Sequence, residues 1–138
     1  VPGAKSTRSH SLTQSSKLTP QFLEFGITHD CNTYIPWQAR FELRPWVDWS
    51  GLIKVPYFWS DDLFAMQGLP VEPTVLTSKP GLKVFGFHPI HLALNTVTLD
   101  VYEQTRSIHH QLDLLAKHKM NGLGAEEFLL GVLSAVKA

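Results

Sequence analysis

The side chains of this protein best suited to moving a proton or holding an ion are two histidines three apart, His88 and His91, in the stretch 81–95, GLKVFGFHPIHLALN. They follow an apolar run, 82–87, that reads as a short buried strand, and Pro89 stands between them. Groups that exchange protons, placed just past the end of an apolar strand, sit where α/β folds carry their chemistry, because the sheet fixes the backbone and the loop exposes the side chain. If Pro89 opens a helix, the spacing brings both imidazoles near one face, where they could share a metal or a substrate. The plainer alternative is a pair of hydrogen-bonded histidines at an element boundary. Their place after a strand, beside a backbone-fixing proline, favours a site.

Other polar clusters also end strand-like segments. Segment 27–30 reads as a strand whose end carries His29, Asp30, Cys31 and Asn32. Segment 53–59, IKVPYFW, is the best strand, with Pro56 marking an edge or a bulge. It ends in Ser60, Asp61 and Asp62, acids that could ligate a metal or cap the amides of a following helix. His10 lies in a small polar segment, where a loop histidine is the simpler reading. His109, His110 and His118 fall on the exposed-looking side of a helical segment and need no function. All four tryptophans, Trp37, Trp46, Trp49 and Trp59, crowd into 34–60 with several prolines, and so many rings need a core or a ligand to cover them. Arg44, in the same window, could hold a carboxylate or a sugar hydroxyl, or make an ordinary surface ion pair.

The elements that must position these groups repeat one plan: short strand, polar end, short helix. A helix is expected from Thr19 as N-cap and Pro20 at the first position to a stop at Gly26. Segment 68–80, with Pro70, Pro73 and Pro80, reads as an irregular connection, 90–95 as helical, and 99–118 as containing a helix. The strongest helix is 125–137: Glu126 and Glu127 open it, Phe128, Leu129, Val132, Leu133 and Val136 form its apolar stripe, and Lys137 closes it. The fold class expected is α/β, in a single domain spanning 1–138.

Composition narrows the functions. With 138 residues, 43% hydrophobic and 11% aromatic, the chain can bury a core without staples. Twelve basic and twelve acidic residues give zero net charge, so no electrostatic footprint for nucleic acid or an anionic membrane is present. The single cysteine, Cys31, excludes an internal disulfide and a cysteine-rich zinc finger, and favours a reducing, cytoplasmic compartment. No apolar run reaches the roughly 18–20 residues of a membrane span. The sequence opens on Val1 without a leader-like pattern, and the expectation is a processed or excised piece of something longer.

Taken in order, His10-Ser11, then Gly26-Ile27 with Asp30, then Val55-Pro56-Tyr57-Phe58-Trp59 with Asp61-Asp62, then Phe87-His88-Pro89-Ile90-His91 with Asn95 resemble the later part of the polysaccharide deacetylase superfamily. The likeness is greatest to divergent members linked to bacterial surface-polysaccharide clusters, and runs from about 8 to about 102. It implies a partial or distorted (β/α) barrel with its active site at the strand C-termini. It also implies a divalent metal (zinc, cobalt or nickel) and a water that removes an N- or O-acyl group from a sugar. Carried over residue by residue, His10 matches the first ligand of the His-Ser/Thr-x-x-His metal motif, while Gln14 falls where the second histidine belongs. His88 matches the general acid, with His91 as a nearby alternative. The family's early Asp pair precedes this motif and has no counterpart, so Asp30 or Asp61 would stand in for the missing carboxylate. The site expected under the resemblance is therefore His88 and Asp30 for catalysis, His10, His91 and Asp61 for metal, and Arg44, Trp59 and Trp46 for the carbohydrate. A non-catalytic carbohydrate-binding or structural remnant is the alternative. Four or five strands cannot close a barrel, so a missing N-terminal half or oligomerisation is expected.

Overall fold

Strands in this protein are short because the chain interrupts its own apolar runs. The computed structural model describes residues 2–68 and 71–137. Val1, Pro70 of the expected irregular connection, and the side chain of Lys137 lie outside the described residues. The architecture is mixed α/β, in two compact units: Val1–Phe58 with Pro80–Val84, and Trp59–Lys79 with Phe85–Ala138.

In the first unit, β1 (Ser6–Thr7), β2 (His29–Asp30), β3 (Trp46–Val47) and β4 (Ile53–Lys54) form one sheet in the order β1-β2-β4-β3. β1, β2 and β4 are parallel, with Asp30 registered against Lys54, and β3 runs antiparallel to β4. Helix α1 (Thr19–Glu24) joins β1 to β2 and begins one residue earlier than expected, with Thr19 inside it and Pro20 in its first turn. It stops as its glycine predicts. Gly26 takes φ +74, and the paired bonds Ile27 N–H to Phe22 O (2.9 Å) and Gly26 N–H to Leu23 O (2.9 Å) close a Schellman turn. The small polar segment that carries His10 forms a 3₁₀ turn, His10–Leu12. The core of this unit includes Leu43, Leu52, Tyr57 and Phe58, with Tyr34 and Tyr57 rings 5.0 Å apart.

In the second unit, β5 (Trp59–Ser60) and β6 (Phe85–Gly86) are parallel. The single strand expected over 53–59 is thus two strands, since Pro56 has no N–H to give a ladder. The strand expected over 82–87 shrinks to β6. Helices follow: α2 (Asp61–Gln67), α3 (Pro73–Thr77), α4 (Pro89–Leu94), α5 (Leu99–Gln104), α6 (Leu112–Leu115) and α7 (Ala125–Lys137). Pro73, expected to break the chain, instead starts α3 at a first-turn position. The helical stretch at 99–118 is broken into α5 and α6 by 3₁₀ turns. At the break, the Thr105 hydroxyl donates back to Val101 O (2.7 Å), a bond that favours helix ends over helix interiors. No helix among the described residues is long and apolar enough to cross a membrane. Nor do the described ladders close a barrel; they form a four-stranded and a two-stranded sheet.

Helix α7 organises the core of this unit. Phe128 is fully buried and stacks on Trp59 (4.1 Å, 5° between planes), with Phe64 and Phe85 around them. Ala125 and Val132 also face inward, whereas Leu133 and Val136 of the expected stripe are exposed. The start of α7 is capped from a distance by Asn95, which ends α4 at φ 46. Its Oδ1 accepts Glu126 N–H (3.1 Å) and Glu127 N–H (3.3 Å), and its Nδ2 donates to Met120 O and Gly122 O.

Gly131 sets how closely α7 approaches α3, because a Cβ there would meet Pro73 Cγ at 2.6 Å. Alanine in a helix interior ordinarily gains about 1 kcal/mol over glycine, but overpacking against a rigid ring costs about 1–3 kcal/mol. Gly131→Ala is therefore expected to lower stability by roughly 1–2 kcal/mol, measured by urea denaturation; a more stable variant would contradict the packing described.

Candidate functional site

Parallel β5 and β6 each run directly into a helix, so the residues just past their C-termini are held beside one another. Ser60 pairs with Gly86, and Asp61 follows the first strand while His88 follows the second. Asp61 occupies the first position of α2 and is fully buried. Its Oδ1 lies 2.6 Å from His88 Nδ1 and accepts Asp62 N–H (2.8 Å), and its Oδ2 accepts His88 N–H (2.6 Å). The carboxylate is thus held at three points, by the ring and backbone of His88 and by the Asp62 N–H. It in turn selects the His88 tautomer with hydrogen on Nδ1, which leaves Nε2 to exchange a proton. The His88 side chain is 43% exposed.

His91 lies on α4, one turn further on, and is 5% exposed. Its Nδ1 pairs with the Thr96 hydroxyl (3.1 Å), and its ring stands edge-on to His88 (5.7 Å, 90°) and tilted against Tyr102 (4.9 Å). Burial pushes the His91 pKa below its ordinary value. Asp61 pulls it upward and His88 pushes it further down, with burial dominant. Asp61, His88 and His91 each offer a ligand atom within 4.8 Å of the others, and among the described residues they are the one such group of three His, Cys, Asp or Glu.

The remaining expected site residues have other roles. Asp30, expected as a catalytic carboxylate, is fully buried and takes the Lys54 ammonium, Asn32 Nδ2 (2.7 Å) and Asn32 N–H (2.9 Å). Its oxygens hold the sheet together and do not await a water. His10 is exposed on its 3₁₀ turn. Arg44 is exposed and paired with Glu42 (2.7 Å), the surface ion pair anticipated as the simpler reading. Trp46 is partly exposed on edge strand β3. Trp59 must be corrected: at 1% exposure, with Phe128 on its face, it is a core ring with no surface for a sugar. Sequence reasoning missed Thr96, whose only signal is a hydroxyl five residues past His91, and Lys54, a cation inside the apolar run 53–59.

Fold and site together define a mixed α/β protein with an acid–imidazole pair at the ends of adjacent parallel strands. The chain belongs to the WbmS-like polysaccharide deacetylase family, whose model matches residues 1–106. A crystal structure from Bordetella bronchiseptica, described as a candidate polysaccharide deacetylase involved in O-antigen biosynthesis, is similar with a TM-score of 0.87 and 33% identity. The similarity covers 96% of this chain but 56% of the Bordetella chain, so this chain spans little more than half of that relative's length. No curated protein matches it.

The divalent metal implied by the family does not fit at the His10 motif. Gln14 stands at the second ligand position, and its Oε1 lies 3.4 Å from Lys54 Nζ. Asp30 and Asp48 (3.4 Å) also bind that ammonium, so the chain supplies its own cation to these oxygens. The donor set of Asp61, His88 and His91 does fit, since one carboxylate and two imidazoles suit zinc and its neighbours.

The lowered pKa of His91 has a signed consequence. Below its ordinary value of 6.5, the unfolded chain takes up a proton that the folded one refuses, so stability falls as pH drops. His91→Gln is expected to flatten the loss of stability between pH 6.5 and about 5, measured by denaturant midpoints at each pH; an unchanged slope would mean that another group sets it.

Proposed function

We propose that this protein supplies the proton-transferring element of a carbohydrate deacylase, a hydrolase that removes an N- or O-acyl group from a sugar or polysaccharide. The observation that carries the reading is the Asp61 carboxylate, buried and bonded to both Nδ1 and the backbone N–H of His88. The family and the Bordetella relative supply the substrate class. As the general acid, His88 is aimed by its two bonds to Asp61. It donates from Nε2 to the leaving amine or alkoxide as the acyl bond breaks, and Asp61 keeps the ring from turning. His91, neutral through burial, adds no competing charge beside it. In this reading the chain is one deacetylase-like domain lacking the N-terminal part of a distorted (β/α) barrel. Further strands would contribute the base, in keeping with a match to 56% of the relative. We place it in the cytoplasm, the compartment that suits a lone cysteine.

A second reading is favoured by the convergence of Asp61, His88 and His91 within 4.8 Å. A divalent ion held there would polarise the acyl oxygen. Titration with zinc, cobalt and nickel, read by elemental analysis and thermal midpoint, tests it: stoichiometric uptake lost in His91→Ala supports the ion. A chain that neither takes up metal nor turns over acetylated sugar would fit the non-catalytic remnant instead.

The dyad itself is tested by acetate release from N-acetylated and O-acetylated oligosaccharides. His88→Ala should lower kcat about 10²–10⁴-fold, and Asp61→Asn, which loses the carboxylate that aims the ring, should lower kcat with little change in KM. Turnover unaffected by loss of His88 would remove the reading.

A further inference from the structure

The first unit holds a cleft that plays no part in proton transfer. It has a volume of about 230 Å³, and its lining includes Gln14, Ser15, Thr19, Asp48, Trp49 and Lys54. Drug-sized pockets run to about 300–1,000 Å³, so this one suits a single small ring.

Its walls are chemically divided. Trp49 is 73% exposed, a large flat apolar ring left in water. Opposite in character, the Lys54 and Asp48 side chains are nearly buried. Lys54 Nζ is anchored by Asp30, but its contacts to Asp48 Oδ2 and Gln14 Oε1 are both stretched to 3.4 Å. Hydrogen bonds of this kind favour about 2.7–3.0 Å, so an incoming hydroxyl could replace either with a better one. Asp48 Oδ1 is held by Ser50 N–H (2.8 Å) and the Ser50 hydroxyl, which fixes the carboxylate and, among the described residues, leaves Oδ2 to the long contact with Lys54. The Ser50 bonds and Lys54 hold the Asp48 pKa below its ordinary value despite burial, so the acceptor is charged at neutral pH.

The charge balance selects the ligand. The charged side chains that line the cleft, Asp48 and Lys54, cancel, and the fully buried Asp30 behind Lys54 adds one negative charge, which opposes a phosphate, sulfate or carboxylate. A neutral polyol matches both halves: its C–H face covers an indole, and its adjacent hydroxyls both donate and accept.

We infer that the Trp49 cleft is a binding subsite for one pyranose ring of a neutral sugar, stacked on the indole and hydrogen-bonded through vicinal hydroxyls to Asp48, Lys54 and Gln14. The inference goes beyond the proton-transfer reading, because binding here requires no turnover.

The test titrates the full chain with the methyl glycosides of glucose, galactose, N-acetylglucosamine and N-acetylgalactosamine, followed by tryptophan fluorescence and saturation-transfer NMR. At least one should bind with a Kd on the order of 1–10 mM, with transfer strongest to pyranose C–H protons. Trp49→Ala should weaken that binding about tenfold or more, and Trp49→Phe should keep most of it. The exposed position of Trp49 means that neither change threatens the fold. Asp48→Asn should also weaken binding, while His88→Ala should leave it unchanged whatever becomes of acetate release, so the two readings fail separately. No binding of any of the four up to about 50 mM, binding indifferent to Trp49→Ala, or tighter binding of glucose 6-phosphate than of glucose would each overturn the inference.

Discussion

A buried carboxylate has to be answered by donors, and the Asp61 carboxylate is answered by the backbone and ring of His88. An uncompensated charge at full burial would cost several kcal/mol, so the first turn of α2 and the residue that caps α4 are bound to one geometry. That constraint explains why so short a strand pair suffices. β5 and β6 share two registered pairs, and the ion-dipole clamp just beyond them fixes what a longer ladder would otherwise have to hold. Pro89 assists by setting the backbone immediately after His88, and Asn95 transmits the end of α4 to the start of α7.

The first unit solves the same problem differently, and the difference separates structure from chemistry. Asp30 is buried as deeply as Asp61, but its partner is the Lys54 ammonium. Burial works to lower the Lys54 pKa, while Asp30, and Asp48 after it, raise it above its ordinary 10.5. That pair is fully formed below pH 10.5 and weakens only as pH rises through the higher folded value, so it does not exchange protons near neutrality. Imidazole as a side-chain type is the partner suited to passing a proton on. Two carboxylates with equal burial thus have unequal uses, and the partner decides which one belongs to a site.

Much of this was legible in the sequence where one residue dictates one local outcome. Gly26 stops α1, Pro89 starts α4, the acids of 60–62 open α2, and the acids Glu126 and Glu127 open α7. His88 and Asp61 were each legible as polar groups beyond an apolar run, but the sequence paired His88 with Asp30 for catalysis and assigned Asp61 to a metal, and the bond between His88 and Asp61 is visible only in the structure. What failed depended on partners distant in sequence. Trp59 reads as a sugar platform until Phe128, some seventy residues on, is seen to cover it. Asp30 reads as a base until Lys54 is registered beside it. Pro73 can break or begin a helix, and only the packing of α3 against α7 selects the second. Leu133 and Val136 fit an apolar stripe by spacing, yet a thirteen-residue helix with one packed face leaves some of its apolar positions outside.

The competition for His88 decides what the cluster can be. With Nδ1 committed to Asp61, the ring has one open nitrogen, and an imidazole whose Nε2 ligates an ion has no proton to give from it. A metal using Nδ1 instead must displace the short bond to Asp61 and expose that carboxylate to the cost the clamp removes. His91 faces no such choice, because burial already keeps it neutral and Thr96 takes only its Nδ1. The proton-donor role therefore leaves every existing bond in place, whereas the metal role must forfeit either the clamp or the acid. On that asymmetry the dyad is the stronger reading of the geometry, and an ion, if bound, converts His88 from a donor into a ligand.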